Sequence, residues 1–425
     1  MEPLGKKAIA CEYKGQRYRI EFEIIKNDAP AILGHAACQK MGMVKRLYQV
    51  EKNEDILKDF EDLFIGLGCL SGEHRIKINT EIRPVVHAPR RIPVALRDRV
   101  IKELQRMEEM GVIAKQAEPT EWVNSMVTVV TANKIRICMD PKDLNKAIRR
   151  EHYPVLTVEE VVSRMPNAKY FSVLDANQGF WQIKLDQDSS KLCTINTPIG
   201  RYRFLRLPFG ISSASEVFQR SIAQMIEGLE GVVNIIDDLL VWGDTIEEHD
   251  QRLLKLLKRA RENNLKLNRN KCKIRMREIK YIGHILSANG LKPDEEKIKA
   301  VTQLPAPESK QELHRFLGMV KYLAKFIPNL SEISAPLRKL LEKDTAWHWE
   351  DAHDKSVEKL KQMITQSPTL KFYDVSKPVT LSVDASSEGI GAVVLQEGKP
   401  VAYGSRALSD CQRRYAQIEA IYYWR

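Results

Sequence analysis

Apolar and polar residues change period several times along this chain, and each change predicts an element. Tyr18-Arg19-Ile20-Glu21-Phe22-Glu23-Ile24 alternates, as a half-buried strand does. Ala31-Ile32-Leu33-Gly34 leads into a short helical stretch. Residues 46–93 read as a charged helical connector and then a loop, where Pro84, Pro89 and Pro93 disfavour helix. From Ala95 to Met110 the period becomes helical, with Leu96, Val100, Leu104 and Met107 on one face and Gly111 as a stop. Phe171-Ser172-Val173-Leu174-Asp175 is an apolar strand ending in aspartate, and Ile235-Ile236-Asp237-Asp238-Leu239-Leu240-Val241 sets two adjacent carboxylates between apolar runs. Thr245 with Glu248 predicts a capping box ahead of an apolar stripe at 253–257, and Ser309 with Glu312 predicts another, opening a helix through Leu317, Val320 and Leu323. Pro328 and Pro336 break the helices that follow. Past residue 369 three strands are predicted, over 379–386, 389–395 and 401–405.

Composition narrows the class. The 425 residues are enough for two or more domains, and 43% apolar with 29% charged residues is ordinary for a globular protein. A net charge of +11 favours a polyanionic partner. The seven cysteines form no CxxC pair, so no zinc ribbon is indicated, and unpatterned thiols fit a reducing compartment. The N-terminus lacks an apolar signal core and no run of about 18 apolar residues occurs, so neither a secreted nor a membrane-spanning protein is expected. The expected location is intracellular, cytoplasmic or nuclear.

The paired carboxylates carry the chemistry. Buried charge is costly unless compensated, and Mg²⁺ is held by one or two carboxylates plus substrate phosphates. The bland alternative is a tight hairpin with two solvated aspartates at its tip. Asp175 shifts the balance, because three aspartates on neighbouring strand ends can serve two metal ions.

These residues, with Ala176-Asn177-Gln178-Gly179-Phe180-Trp181 and Arg206-Leu207-Pro208-Phe209-Gly210-Ile211-Ser212-Ser213-Ala214, resemble the palm of a reverse transcriptase of gypsy-class LTR retrotransposon polyproteins. Residues 134–146 resemble the fingers of that family, and Leu265-Lys266-Leu267-Asn268 with Tyr281-Ile282-Gly283-His284 its late palm and primer grip. The resemblance implies an α+β, right-hand-like fingers/palm/thumb polymerase with an N-terminal β appendage and a truncated RNase H-like α/β domain. The expected divisions are 1–45, an aspartic-protease-like remnant lacking the Asp-Thr-Gly or Asp-Ser-Gly triplet; 46–93, a linker; 94–286, fingers and palm; 287–368, thumb and connection; and 369–425, RNase H-like.

By the same resemblance Asp175, Asp237 and Asp238 are the catalytic and metal-binding carboxylates, with Asp175 and Asp237 the direct ligands of two Mg²⁺ ions, or Mn²⁺, and the Ala176 carbonyl completing one shell. Arg136 and Lys134 would meet the incoming triphosphate. Phe180 would reject a 2′-hydroxyl, with core packing as its alternative, and Phe209 and Gly210 would line the nucleotide pocket. The partners implied are an RNA or DNA template with a DNA primer, and dNTPs. Residues 261–280 carry eight Lys or Arg, and Lys266, Lys271 and Lys273 are expected on template–primer phosphates rather than on a merely solvated face. Asp384 and Glu419 match part of the RNase H carboxylate set, and the early end of the sequence leads to the expectation that RNase H activity is absent. Two departures from the pattern stand out: Ile235 replaces the usual tyrosine, and Thr131-Ala132-Asn133-Lys134 lacks the usual glycine. Two further readings stay open, a weakened nucleic-acid-binding remnant of a transposable element and a nuclease.

Overall fold

The computed structural model describes residues 4–13, 15–24, 26, 33–34, 37–38, 41, 56–131, 134–409 and 411–414. The chain divides into two compact units, 1–58 and 59–425. In the first, strands Gly5–Tyr13 and Gln16–Ile24 pair antiparallel, with Ile9 opposite Ile20. Ile20 is buried while Ile9 and Ile24 are exposed, so the hairpin has one covered position on a largely open surface.

The second unit begins earlier than the expected linker allows. From residue 59 onward the chain is folded in, with Phe60, Leu63, Leu70 and Ile76 buried. These apolar residues are spaced among charges and glycines, so no single period marked them. The amphipathic helix forms over Val94–Glu109 and buries Val100, Leu104 and Met107. Gly111 follows at φ +66°, a left-handed conformation that suits glycine after a helix end.

Two sheets dominate this unit. A five-stranded sheet contains the hairpin Asn124–Thr131/Lys134–Asp140, whose register joins Thr131 to Lys134. A four-stranded antiparallel sheet places Tyr170–Asp175 between Asp238–Gly243 and Lys273–Met276, with Val232–Ile235 on the outer edge. The central strands are buried on both faces, which explains their continuous apolar runs. Helix Ile246–Glu262 packs beneath this sheet through Leu253, Leu256, Leu257 and Ala260.

The expected capping boxes are only half formed. Thr245 Oγ1 accepts the Glu248 N–H, but the Glu248 carboxylate accepts from Asp244 N–H rather than Thr245 N–H. Ser309 and Glu312 do the same, with Glu308 N–H donating to Glu312. In both cases the carboxylate reaches one residue further back and still satisfies a backbone donor at the helix entry.

One core joins the palm-like sheet to the helices after it. Phe171, Leu240 and Trp242 share it with Tyr281, Leu286, Phe316, Val320 and Leu360. A three-stranded sheet, Thr380–Ala385, Gly389–Gln396 and Lys399–Ala407, closes the described chain with a small cluster around Ile390. No helix among the described residues is long and apolar enough to cross a membrane.

Candidate active site

Strand register assembles the carboxylates. The Tyr170–Asp175 and Asp238–Gly243 strands run antiparallel with Asp238 directly opposite Asp175. Ile235 pairs with Asp238 across a two-residue turn, so Ile236 and Asp237 form the turn itself. Ala176 N–H donates to the Asp237 carbonyl at 3.1 Å and ties the two strand ends together. Ile236 adopts φ +53°, a region that a β-branched residue rarely enters.

The turn pushes Asp237 inward. A Cβ on Gly179 would lie 2.7 Å from Asp237 Oδ1 and 2.8 Å from the Phe218 ring, so a larger residue would displace the carboxylate or the ring. Asp237 Oδ1 is buried and has no hydrogen-bond partner among the described residues. Burial, reinforced by Asp175 and Asp238, pushes the Asp237 carboxyl up to about 6. Burial and Asp175 also raise Asp238. Lys271 opposes both shifts; its Nζ lies 2.9 Å from Asp175 Oδ2.

Among the described residues no three His, Cys, Asp or Glu side chains already converge tightly enough to enclose an ion. The residues nevertheless fit a divalent cation. A buried, unpartnered carboxylate oxygen in a cluster of three aspartates, with one ammonium beside them, leaves negative charge that a cation would offset, and Mg²⁺ needs only one or two carboxylates when substrate phosphates supply the rest.

Two buried side chains hold the site from behind, and neither was singled out from the sequence. Gln182, fully buried, donates to the Asn177 carbonyl at 2.7 Å and the Lys266 carbonyl at 2.8 Å, and accepts the Lys266 N–H at 2.8 Å. It fixes the loop after Asp175 against the 265–268 segment. Gln219 accepts the Ile236 N–H at 2.6 Å. Its one sequence signal is a polar residue within the apolar stripe of helix Ala214–Met225.

The nucleotide-pocket residues fall together. The Phe180 ring lies 5.1 Å from Phe209 and 5.8 Å from Phe218, and it is half-buried rather than a core residue. Gly210 takes φ +108°, and a Cβ there would approach the Met139 carbonyl to 2.6 Å. Asn145 brackets this loop, donating to the Gly210 carbonyl and accepting the Ser212 N–H, both at 2.9 Å. Arg136 is exposed opposite Val129 on the long hairpin; the Lys134 side chain and residues 132–133 lie outside the described residues.

The basic segment is not one solvated face. Lys271 turns into the carboxylates, and Lys266 Nζ donates to the Asp62 carbonyl at 2.7 Å. Arg275 is buried and makes a bidentate pair with Asp250. Arg261 pairs with Asp62, and Lys280 with Asp294 and Glu296. Lys273 is exposed on its strand. Protein acceptors brought near by the fold each take one bond from the Lys266 and Lys271 ammonium groups. Asp384 is exposed, its Oδ1 accepting the adjacent Ala385 N–H, and Glu419 lies outside the described residues.

Residues 130–320 match the family model described as reverse transcriptase (RNA-dependent DNA polymerase), and residues 349–422 match that of an RNase H-like domain found in reverse transcriptase. The chain is 32% identical over 330 residues to the retrovirus-related Pol polyprotein from transposon 297 of Drosophila melanogaster, covering 75% of this chain and 31% of that protein. It is 32% identical over 306 residues to the transposon Tf2-3 polyprotein of Schizosaccharomyces pombe, covering 68% of this chain and 23% of that protein. The chain thus spans less than a third of the length of these curated relatives. Among solved structures, the foamy viral protease-reverse transcriptase dRH in complex with ds DNA superposes with TM-score 0.80 at 18% identity, covering 98% of this chain and 78% of that one. The foamy viral protease-reverse transcriptase in complex with RNA/DNA hybrid gives 0.78 at 18%, covering 100% and 63%. The chain has the α+β fold of these reverse transcriptase structures, with a segment similar to the reverse transcriptase family followed by one similar to the RNase H-like family.

Proposed function

We propose that this chain is an RNA-directed DNA polymerase of a gypsy-class LTR retrotransposon, extending a DNA primer on an RNA or DNA template from deoxynucleoside triphosphates. The observation that carries the reading is the strand register that sets Asp238 opposite Asp175 with the unpartnered Asp237 in the turn beside them. The relatives are transposon polyproteins, and the foamy viral structures of the same fold are complexes with double-stranded DNA or RNA/DNA hybrid.

In this reading Asp175 and Asp237, with the Ala176 carbonyl, would hold two Mg²⁺ or Mn²⁺ ions, and Asp238 would add negative charge. Such ions, when bound, lower the pKa of an attacking hydroxyl and steady the charge on the phosphoryl and leaving groups. Lys271 pairs with Asp175 at 2.9 Å, and a cation on that carboxylate would compete with its ammonium. Phe180 and Phe209 form an apolar wall against the sugar, and Gly210 lets backbone approach the base and phosphates closely. Arg136 is suited to a triphosphate by its fork of donors. The N-terminal hairpin is read as the protease-like remnant, in keeping with the 98% of this chain covered by a protease-reverse transcriptase structure. The unpatterned cysteines support an intracellular site of action.

The test is primer extension on RNA and DNA templates with Mg²⁺ or Mn²⁺, comparing wild type with Asp237→Asn. Template-directed, metal-dependent extension that Asp237→Asn abolishes is expected. Binding of template–primer without extension by wild type would leave a nucleic-acid-binding remnant instead.

A further inference from the structure

The turn that carries Asp237 is held by groups that its own strand does not supply. Ile236 occupies the first central position of a two-residue hairpin at φ +53°, where such turns ordinarily place glycine. A β-branched residue relaxes out of that conformation unless its surroundings fix it. Gln219, three per cent exposed on helix Ala214–Met225, supplies the fixing contacts. Its Oε1 accepts the Ile236 N–H at 2.6 Å, and its Nε2 donates to the Asn234 carbonyl at 3.1 Å. Asn234, two per cent exposed, reaches back with its Nδ2 to the Gln219 carbonyl at 3.5 Å. Helix and hairpin are therefore cross-braced by two buried amides that bracket Ile235.

The clearance on the other side of the turn is small. Asp237 Oδ1 abuts Gly179 so closely that a Cβ there would stand 2.7 Å away. The carboxylate thus sits against the one position beside it that carries no side chain. A bond to the amide of the preceding residue is well placed to set this distance.

We propose that Gln219 is a positioning residue for Asp237: by clamping the Ile236 N–H and the Asn234 carbonyl it fixes how the hairpin presents the Asp237 carboxylate to a divalent cation. The proposal rests on the polymerase reading for the use made of that cation, but its direct consequence is cation binding, which is measured without turnover. A purely architectural role would make Gln219 matter to folding and leave cation affinity in the folded chain unchanged.

The experiment uses the full chain and Mn²⁺ as probe, with free Mn²⁺ followed by electron paramagnetic resonance in the absence of nucleotide and template. Gln219→Met keeps the size of the side chain and removes both bonds. Gln219→Glu keeps an acceptor for the Ile236 N–H. Ser221→Ala, on the same helix and removing a hydroxyl that donates to the Val217 carbonyl one turn back, is the control. Gln219→Met is expected to weaken Mn²⁺ binding about 10-fold, the order found when a group orienting a metal ligand is removed, while thermal unfolding stays cooperative. Gln219→Glu is expected to recover most of the affinity, and Ser221→Ala to match wild type. Hydrogen exchange supplies a reading that needs no variant: the Ile236 amide of wild type should exchange slowly for a turn residue. Wild-type affinity in a folded Gln219→Met chain overturns the proposal. Should that variant not fold, exchange of the wild-type Ile236 amide at the rate of an open turn overturns it as well. Absence of extension by wild type with Mn²⁺ binding intact counts against the polymerase reading and leaves the positioning role standing.

Discussion

At the scale of single residues, the site keeps two groups in states they would not choose in water. Ile236 in the left-handed region costs about 1–2 kcal/mol. Asp237 is raised from 3.8 to about 6 by burial and by its aspartate neighbours. Its linkage to stability has a definite sign. Between pH 4 and 6 the folded chain holds the proton more tightly than the unfolded chain, so stability contributed by neutral Asp237 is present at low pH and lost as pH rises through about 6. Without divalent metal, Asp237→Asn should therefore raise Tm at pH 7 and flatten the pH 4–6 dependence of stability, both read by thermal unfolding. Adding Mg²⁺ should stabilise wild type and not the variant, because only a ligand bound to the folded state raises Tm. Phe180 gives a second residue-scale expectation. Its half-buried ring against Phe209 marks a wall rather than a core, so Phe180→Val should lower the ratio of dNTP to rNTP incorporation. An unchanged ratio would assign the ring to packing alone.

Elements are locked to one another by buried polar chains. Beneath the carboxylates, Ser172 Oγ accepts the Arg275 backbone N–H at 2.9 Å and donates to His249 Nε2 at 2.8 Å, because Asp250 can only accept and so keeps the proton of the neutral ring on Nδ1. His249 Nδ1 then donates to Asp250 Oδ1 at 3.1 Å, and Asp250 holds the Arg275 guanidinium. This Ser–His–Asp order looks like a nucleophile and its base, but Ser172 and His249 are fully buried, so it fastens the 170–175 strand, the 246–262 helix and the 273–276 strand. Arg275 reaches it from φ +54° at a register shift in its strand. Burial lowers the His249 pKa, which keeps the ring neutral and its hydrogen bonds in one direction. Asp250→Ala leaves a buried guanidinium without its carboxylate and should cost about 3–5 kcal/mol in denaturant unfolding. A loss under 1 kcal/mol would show that the pair is solvated in practice.

Across the whole molecule, the excess of positive charge still points to a polyanion, but the fold decides which cations are available to it. Lys273 is exposed on the sheet edge, whereas the Lys266 ammonium is directed at the Asp62 carbonyl. Lys273→Ala should reduce the log–log salt slope of template–primer binding by about 0.9, one phosphate contact, and Lys266→Ala should leave it unchanged. Equal effects of the two would return the segment to a diffuse basic surface.

The sequence by itself determined the strand runs, the two carboxylate sites and the ordered motifs that resemble a reverse transcriptase. Those features are local: an apolar run of five to seven residues, an Asp-Asp step and a glycine-bearing loop declare themselves within a short window. Long-range pairing decided the rest. Lys271 meets Asp175 across 96 residues, Gln182 meets Lys266 across 84, and Gln219 meets Ile236 across a helix–strand packing interface. None of these partners is visible from periodicity, because a side chain's nearest acceptor depends on which strand lies beside it. Ser172 sits in an apolar run and His249 among charged residues at the start of its helix, and only the register between strand and helix turned them into a hydrogen-bonded chain. Charge in residues 261–280 was likewise legible as a count, while its use, inward toward carboxylates or outward toward solvent, was settled by the tertiary structure that placed acceptors within reach.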